Sequence, residues 1–148
     1  MVLNLKPADV GETDDSKILA LVMDTGMADA AYSLIATADG SASLYFSNGG
    51  GIIGAGGHPQ GAATAKALLA EAAGFLTNMT PAKDAPLITP GMTAFHVVTG
   101  RGLFTVSAQE VDFGEGRHPV SPLFHKAHEL IAVIRWIDEN RPPQPQNS

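Results

Sequence analysis

Two stretches of this chain place strand-like runs on either side of a glycine-containing dipeptide, and two such stretches commit a chain to antiparallel pairing. The first, "YSLIATA" followed by "SASLYFS", reverses around Asp39-Gly40, the pair that best tolerates the positive φ angles of a two-residue type I′ turn. With Asp39 and Gly40 as the turn residues, Ile35 is expected opposite Leu44 on one face and Leu34 opposite Tyr45 on the other. The second, "MTAFHVVTGRGLFTVSAQ", turns at Gly100-Arg101. That register puts Phe95, Val97, Phe104 and Val106 on a face expected to meet helices. Ala94, His96, Val98, Leu103, Thr105 and Ser107 share the other face, with His96 exposed or at a partner surface.

The run "KILALVMD" is apolar throughout, too short for a typical helix and bounded by acidic turn residues, and reads as a central strand covered on both faces. Pro59 suits the first turn of a helix predicted to run to about Asn78, with Ala62, Ala65, Leu69, Ala72, Leu76 and Met79 facing inward. "SPLFHKAHELIAVIRWIDEN" predicts a second helix capped by Ser121, with Pro122 in its first turn. Its apolar face is Phe124, Ala127, Ile131 and Ile134, flanked by Leu123, Leu130 and Ile137. A chain of 148 residues suits one core. The expected division is a flexible segment 1–16, a single α+β domain over 17–140 and a disordered proline-rich tail over 141–148. The order β-β-β-α-β-β-α predicts a five-stranded antiparallel sheet with two helices packed on it, leaving Tyr32, Leu34, Tyr45 or the His96 face partly uncovered as a dimer surface.

From Lys17 to Asn140 that order of elements resembles the profilin-like group, which includes the roadblock, or dynein light chain, modules. The resemblance implies a homodimeric adaptor. It lies in the order of elements and in no residue motif. Roadblock modules usually begin with a helix and place two strands before the middle helix, whereas three strands come first here, so no functional residue is carried across.

The net charge of -6, without a cluster of Lys or Arg, offers no footprint for nucleic acid or anionic lipid. No apolar window is long enough to span a membrane and the N-terminus does not read as a secretory leader, so a cytoplasmic location is expected. The absence of cysteine removes thiolate chemistry.

Between Ser47 and the helix lies "SNGGGIIGAGGHPQG", in which Gly49, Gly51 and Gly54 have G-x-G-x-x-G spacing. A dinucleotide fingerprint also needs a parallel βαβ unit and an acid at the end of the next strand, and Glu71 falls mid-helix. The glycines are therefore expected to be structural first, and a small anion held by Asn48, Gly49, Gly51, Gly54, Gly56 and His58 is the alternative. Asp24-Thr25-Gly26 looks like the signature loop of aspartic proteases, but those enzymes are nearly all-β, and a strand-ending turn is the expected role. His118, His125 and His128 are the candidate metal ligands, with solvated or capping roles favoured because no tight two-by-two ligand pattern accompanies them. No nucleophile lies in a G-x-S-x-G elbow, no catalytic residue is assigned and no cofactor is expected. The functional expectation is a small non-enzymatic binding or adaptor module acting as a homodimer or with a protein partner, the alternative being an anion- or nucleotide-binding domain using loop 48–58.

Overall fold

The nine residues of β1 (Ile18–Gly26) are almost all buried, because strands flank them on both sides and side chains cover both faces. The computed structural model describes residues 18–47, 49–52, 58–84 and 88–140, so the segments assigned to loose termini lie outside the described residues. β1 pairs with β2 (Ala31–Thr37) on one side and β6 (Met92–Thr99) on the other, setting Met23 beside Leu34 and Phe95 and Val22 beside Ile35 and His96. With β3 (Ala42–Phe46), β4 (Gly51–Ile52), β5 (Thr80–Ala82) and β7 (Gly102–Gln109), the strands form one antiparallel sheet in the order β4-β3-β2-β1-β6-β7-β5.

The fold is α+β with seven strands, not five. The two additional strands are the short edges, and each gives little period-two signal: β4 has two residues, and β5 carries Pro81, which an edge tolerates because an outward position needs no N–H donor.

The second hairpin has the expected register, Val98 opposite Leu103 and Phe95 opposite Val106. The first is shifted by one residue: Leu34 pairs with Leu44 and Ile35 with Ser43. The cause is a three-residue loop, Ala38 to Gly40, in which Thr37 N–H donates to Ser41 O at 3.0 Å and Gly40 alone takes positive φ, at 90°. The Asp39 carboxylate accepts from Ser41 N–H at 2.9 Å and from the Thr37 hydroxyl, stabilising the turn that precedes a glycine bulge. The shift turns Leu34 and Leu44 together toward the helices, both fully buried.

The helices α1 (Pro59–Ala73) and α3 (Ser121–Glu139) pack against each other and on one face of the sheet. α1 ends at Gly74 and is followed by a separate 3₁₀ turn, Leu76–Asn78, rather than continuing to Asn78. It buries Gly61, Ala65, Leu68, Leu69 and Ala72, of which Gly61, Ala65 and Ala72 are small enough to allow close approach. In α3 the cap is Val120 and Ser121 is the first helical residue; the Ser121 hydroxyl accepts from His118 N–H at 3.2 Å. A third, short helix, α2 (Glu110–Gly114), buries Phe113 between Phe95 of β6, met edge-on at 5.5 Å, and Phe124 of α3, stacked at 5.5 Å.

Ala20, Val22, Asp24, Ala94, His96 and Val98 lie on the sheet face opposite the helices. The expectation of an exposed His96 is wrong: its exposure is 0%. Leu34 is buried as well, whereas Tyr45 is exposed and Tyr32 half-buried. Among the described residues no helix is long and apolar enough to cross a membrane.

Gly49 and Gly50 take φ of 106° and 82° in open space where β3 turns into β4. Gly49→Ala and Gly50→Ala are each expected to cost about 1 kcal/mol, through backbone strain alone. Urea unfolding checks this with and without phosphate, and a parental midpoint in both variants would refute a structural role for these glycines.

Candidate functional site

The start of α1 is poorly supplied with free donors. Pro59 has no N–H, and Nδ1 of His58 accepts from Gln60 N–H at 3.2 Å, so His58 is the helix cap. Its ring meets Trp136 of α3 edge-on at 5.8 Å. Gly51 lies in β4, which runs antiparallel to β3, so the glycine spacing lacks the parallel unit a dinucleotide site requires. Asn48, Gly54 and Gly56 lie outside the described residues.

The structure does not gather the three candidate metal histidines. Nδ1 of His118 accepts from Val120 N–H at 3.0 Å while its ring lies 4.6 Å from Phe113. His125 is exposed on α3, and His128 rests against Phe124 at 4.4 Å. Among the described residues no three His, Asp or Glu side chains converge as a metal-binding group.

Asp24-Thr25-Gly26 serves the chain internally. The Thr25 hydroxyl bonds that of Thr93 at 3.0 Å, both buried, and a Cβ on Gly26 would collide with the Thr89 carbonyl oxygen. Asp24 belongs to a polar line across four strands on the face opposite the helices: Ser33, Asp24, His96, Thr105. Ser33 Oγ donates to Asp24 Oδ1 at 2.5 Å. Thr105 Oγ1 donates to the Phe95 carbonyl at 3.0 Å, so at its 3.1 Å contact with His96 it accepts, and Nδ1 carries a proton. Nε2 stands 3.4 Å from Asp24 Oδ2, too far for an aligned hydrogen bond, so the contact is electrostatic. Burial pushes the Asp24 carboxyl up, but the imidazole and the Ser33 hydroxyl outweigh burial and hold it below the ordinary aspartate range.

This line does not make a nucleophile. A serine is activated when an imidazole stands between hydroxyl and carboxylate; here the carboxylate stands in the middle, and a carboxylate held below its usual range is a weak base for a hydroxyl proton.

The described residues also form a cavity of about 270 Å³ on the helix side, between the outer strands and α3. Its walls are Tyr32 of β2, Leu44 and Phe46 of β3, and His128, Ile131 and Arg135 of α3. The period-two alternation of β3 aims Leu44 and Phe46 to the same side, and His128, Ile131 and Arg135 follow at intervals of three and four along one helix face. Burial pushes the Tyr32 phenol up, reinforced by Glu110 and opposed by Thr25 and Arg135, so the hydroxyl keeps its proton at neutral pH. Burial likewise holds His128 below the ordinary histidine range, with His125 adding to it and Glu110 opposing. Its Nε2 is buried and has no hydrogen-bond partner among the described residues.

Of the sequence-level site candidates among the described residues, only His128 lines this cavity. Tyr32, Phe46 and Arg135 were not foreseen as a set, although the spacing of His128, Ile131 and Arg135 was a readable signal. Comparison with family models, curated proteins and solved structures gave no match.

Proposed function

We propose that the chain is a cytoplasmic, non-enzymatic binding module whose ligand site is the cavity between β2, β3 and α3. The observation that carries this reading is the cavity itself: apolar walls of Leu44, Phe46 and Ile131 with three polar residues, Tyr32, His128 and Arg135, also in the lining. The order of its reactive groups supports binding over catalysis, since the Ser33, Asp24, His96 line lacks the arrangement of an activated nucleophile. At about 270 Å³ the space suits a fragment-sized molecule, just below the range of roughly 300–1,000 Å³ typical of drug-sized ligands.

A fragment screen read by amide chemical shifts tests the reading. Hits are expected to perturb residues of β3 and α3 around Leu44 and Ile131, and to be suppressed by Ile131→Phe, which fills the space. A screen without hits at these residues would remove the ligand site.

A homodimeric adaptor is the second reading, supported by the profilin-like order of elements and by Trp136, half exposed on the outer side of α3. Sedimentation at micromolar concentration that gave only monomer would count against it.

A further inference from the structure

We infer that the cavity takes a small organic carboxylate, its charged group at Arg135 and its hydrocarbon body against Leu44, Phe46 and Ile131. This rests on the proposed ligand site and adds the chemical class of its occupant. Arg135 lines the cavity and, like Lys66, Lys83 and Arg101, makes no ion pair among the described residues; it alone of these four is a wall of the cavity. A guanidinium is a planar, permanently charged fork of donors that fits a carboxylate with two parallel hydrogen bonds. Because the protein as a whole is acidic, with a net charge of -6, an anion gains nothing from the general field and must be recognised locally. Tyr32 lines the same space, and its phenol retains its proton. The remaining walls offer Leu44, Phe46 and Ile131, which cannot solvate a bare inorganic ion but can desolvate an apolar body.

The test is a chemical-shift titration of the full chain with phenylacetate, its neutral counterpart phenylacetamide, and inorganic phosphate. Phenylacetate is expected to bind about tenfold more tightly than phenylacetamide, the worth of one charge-assisted contact. Arg135→Gln, at an exposed position where folding is not at stake, should bring the two within about twofold. Equal affinities for acid and amide in the parent would overturn the carboxylate and leave the cavity as a ligand site. Phosphate binding as tightly as phenylacetate would overturn the apolar body. Shifts confined to residues away from β3 and α3, or no shift with any of the three, would overturn both the inference and the ligand site beneath it.

Discussion

Phe95→Ala is expected to lower folding stability by about 4 kcal/mol, near the upper end for a buried aromatic residue. Phe95 has no exposed surface and sits on β6 beside Met23 of the central strand and Val106 of β7. Its ring meets Phe113 edge-on, and Phe113 stacks on Phe124, so one column of three rings ties the sheet to α2 and α3. Truncation removes the base of that column. The cost therefore includes the lost burial, the cavity left in a close-packed interior and the edge-to-face contact itself. Because α3 supplies three of the residues that line the cavity against β2 and β3, a loosened column should also change the shape of that cavity. Urea unfolding should show a much lower midpoint at an unchanged slope, with Phe95→Leu losing clearly less. A loss below about 1 kcal/mol for the alanine variant would mean that α2 and α3 are held without the column.

Asp24→Asn is expected to cost about 2 kcal/mol at neutral pH, because it removes the carboxylate that accepts from the Ser33 hydroxyl at 2.5 Å and stands 3.4 Å from the buried His96 imidazole. The same pair makes stability depend on acid. The folded-state carboxyl of Asp24 is held below its unfolded value, so its contribution is complete above about pH 4 and is lost as pH falls through the folded value. Asp39 is also lowered, by the Thr37 hydroxyl and the Ser41 amide, so acid unfolding of the parent contains both contributions. The difference between parent and Asp24→Asn isolates the pair: it should be large at pH 7 and shrink toward pH 3. The double variant Asp24→Asn, His96→Leu should recover part of the loss, since it removes the stranded imidazole. Equal stability of parent and Asp24→Asn at pH 7 would show that the contact at 3.4 Å contributes nothing.

What could be read from the amino-acid order was whatever is local. The second hairpin, the central strand, the buried face of α3 and Ala65, Leu69 and Ala72 of α1 follow from periods of two and three to four residues, whereas Gly61 and Leu68 were missed and Ala62 is only half-buried. The first hairpin was misplaced by one residue because Asp39-Gly40 fits a two-residue turn as well as the last two positions of a three-residue one. The choice between them falls to the Asp39 carboxylate and the burial of Leu34 with Leu44. His96 looked solvent-facing because it is polar on an alternating strand; its partner Asp24 is distant in sequence and becomes a neighbour only through the β1–β6 pairing. The cavity is non-local in the same way, drawing on two strands and a helix that are far apart in the chain. α2 has five residues, too few for a helical period to register.

The described sheet ends on one side in a strand of two residues and on the other in one of three that contains proline. An edge that short offers an incoming chain too few consecutive donors and acceptors to template a further strand, and Pro81 subtracts one more. Copies meeting edge to edge along these described strands therefore gain few main-chain hydrogen bonds. A partner that attached through side chains on a helix or a sheet face would be recognised by fit and charge, rather than through the main-chain hydrogen bonds that any peptide can supply.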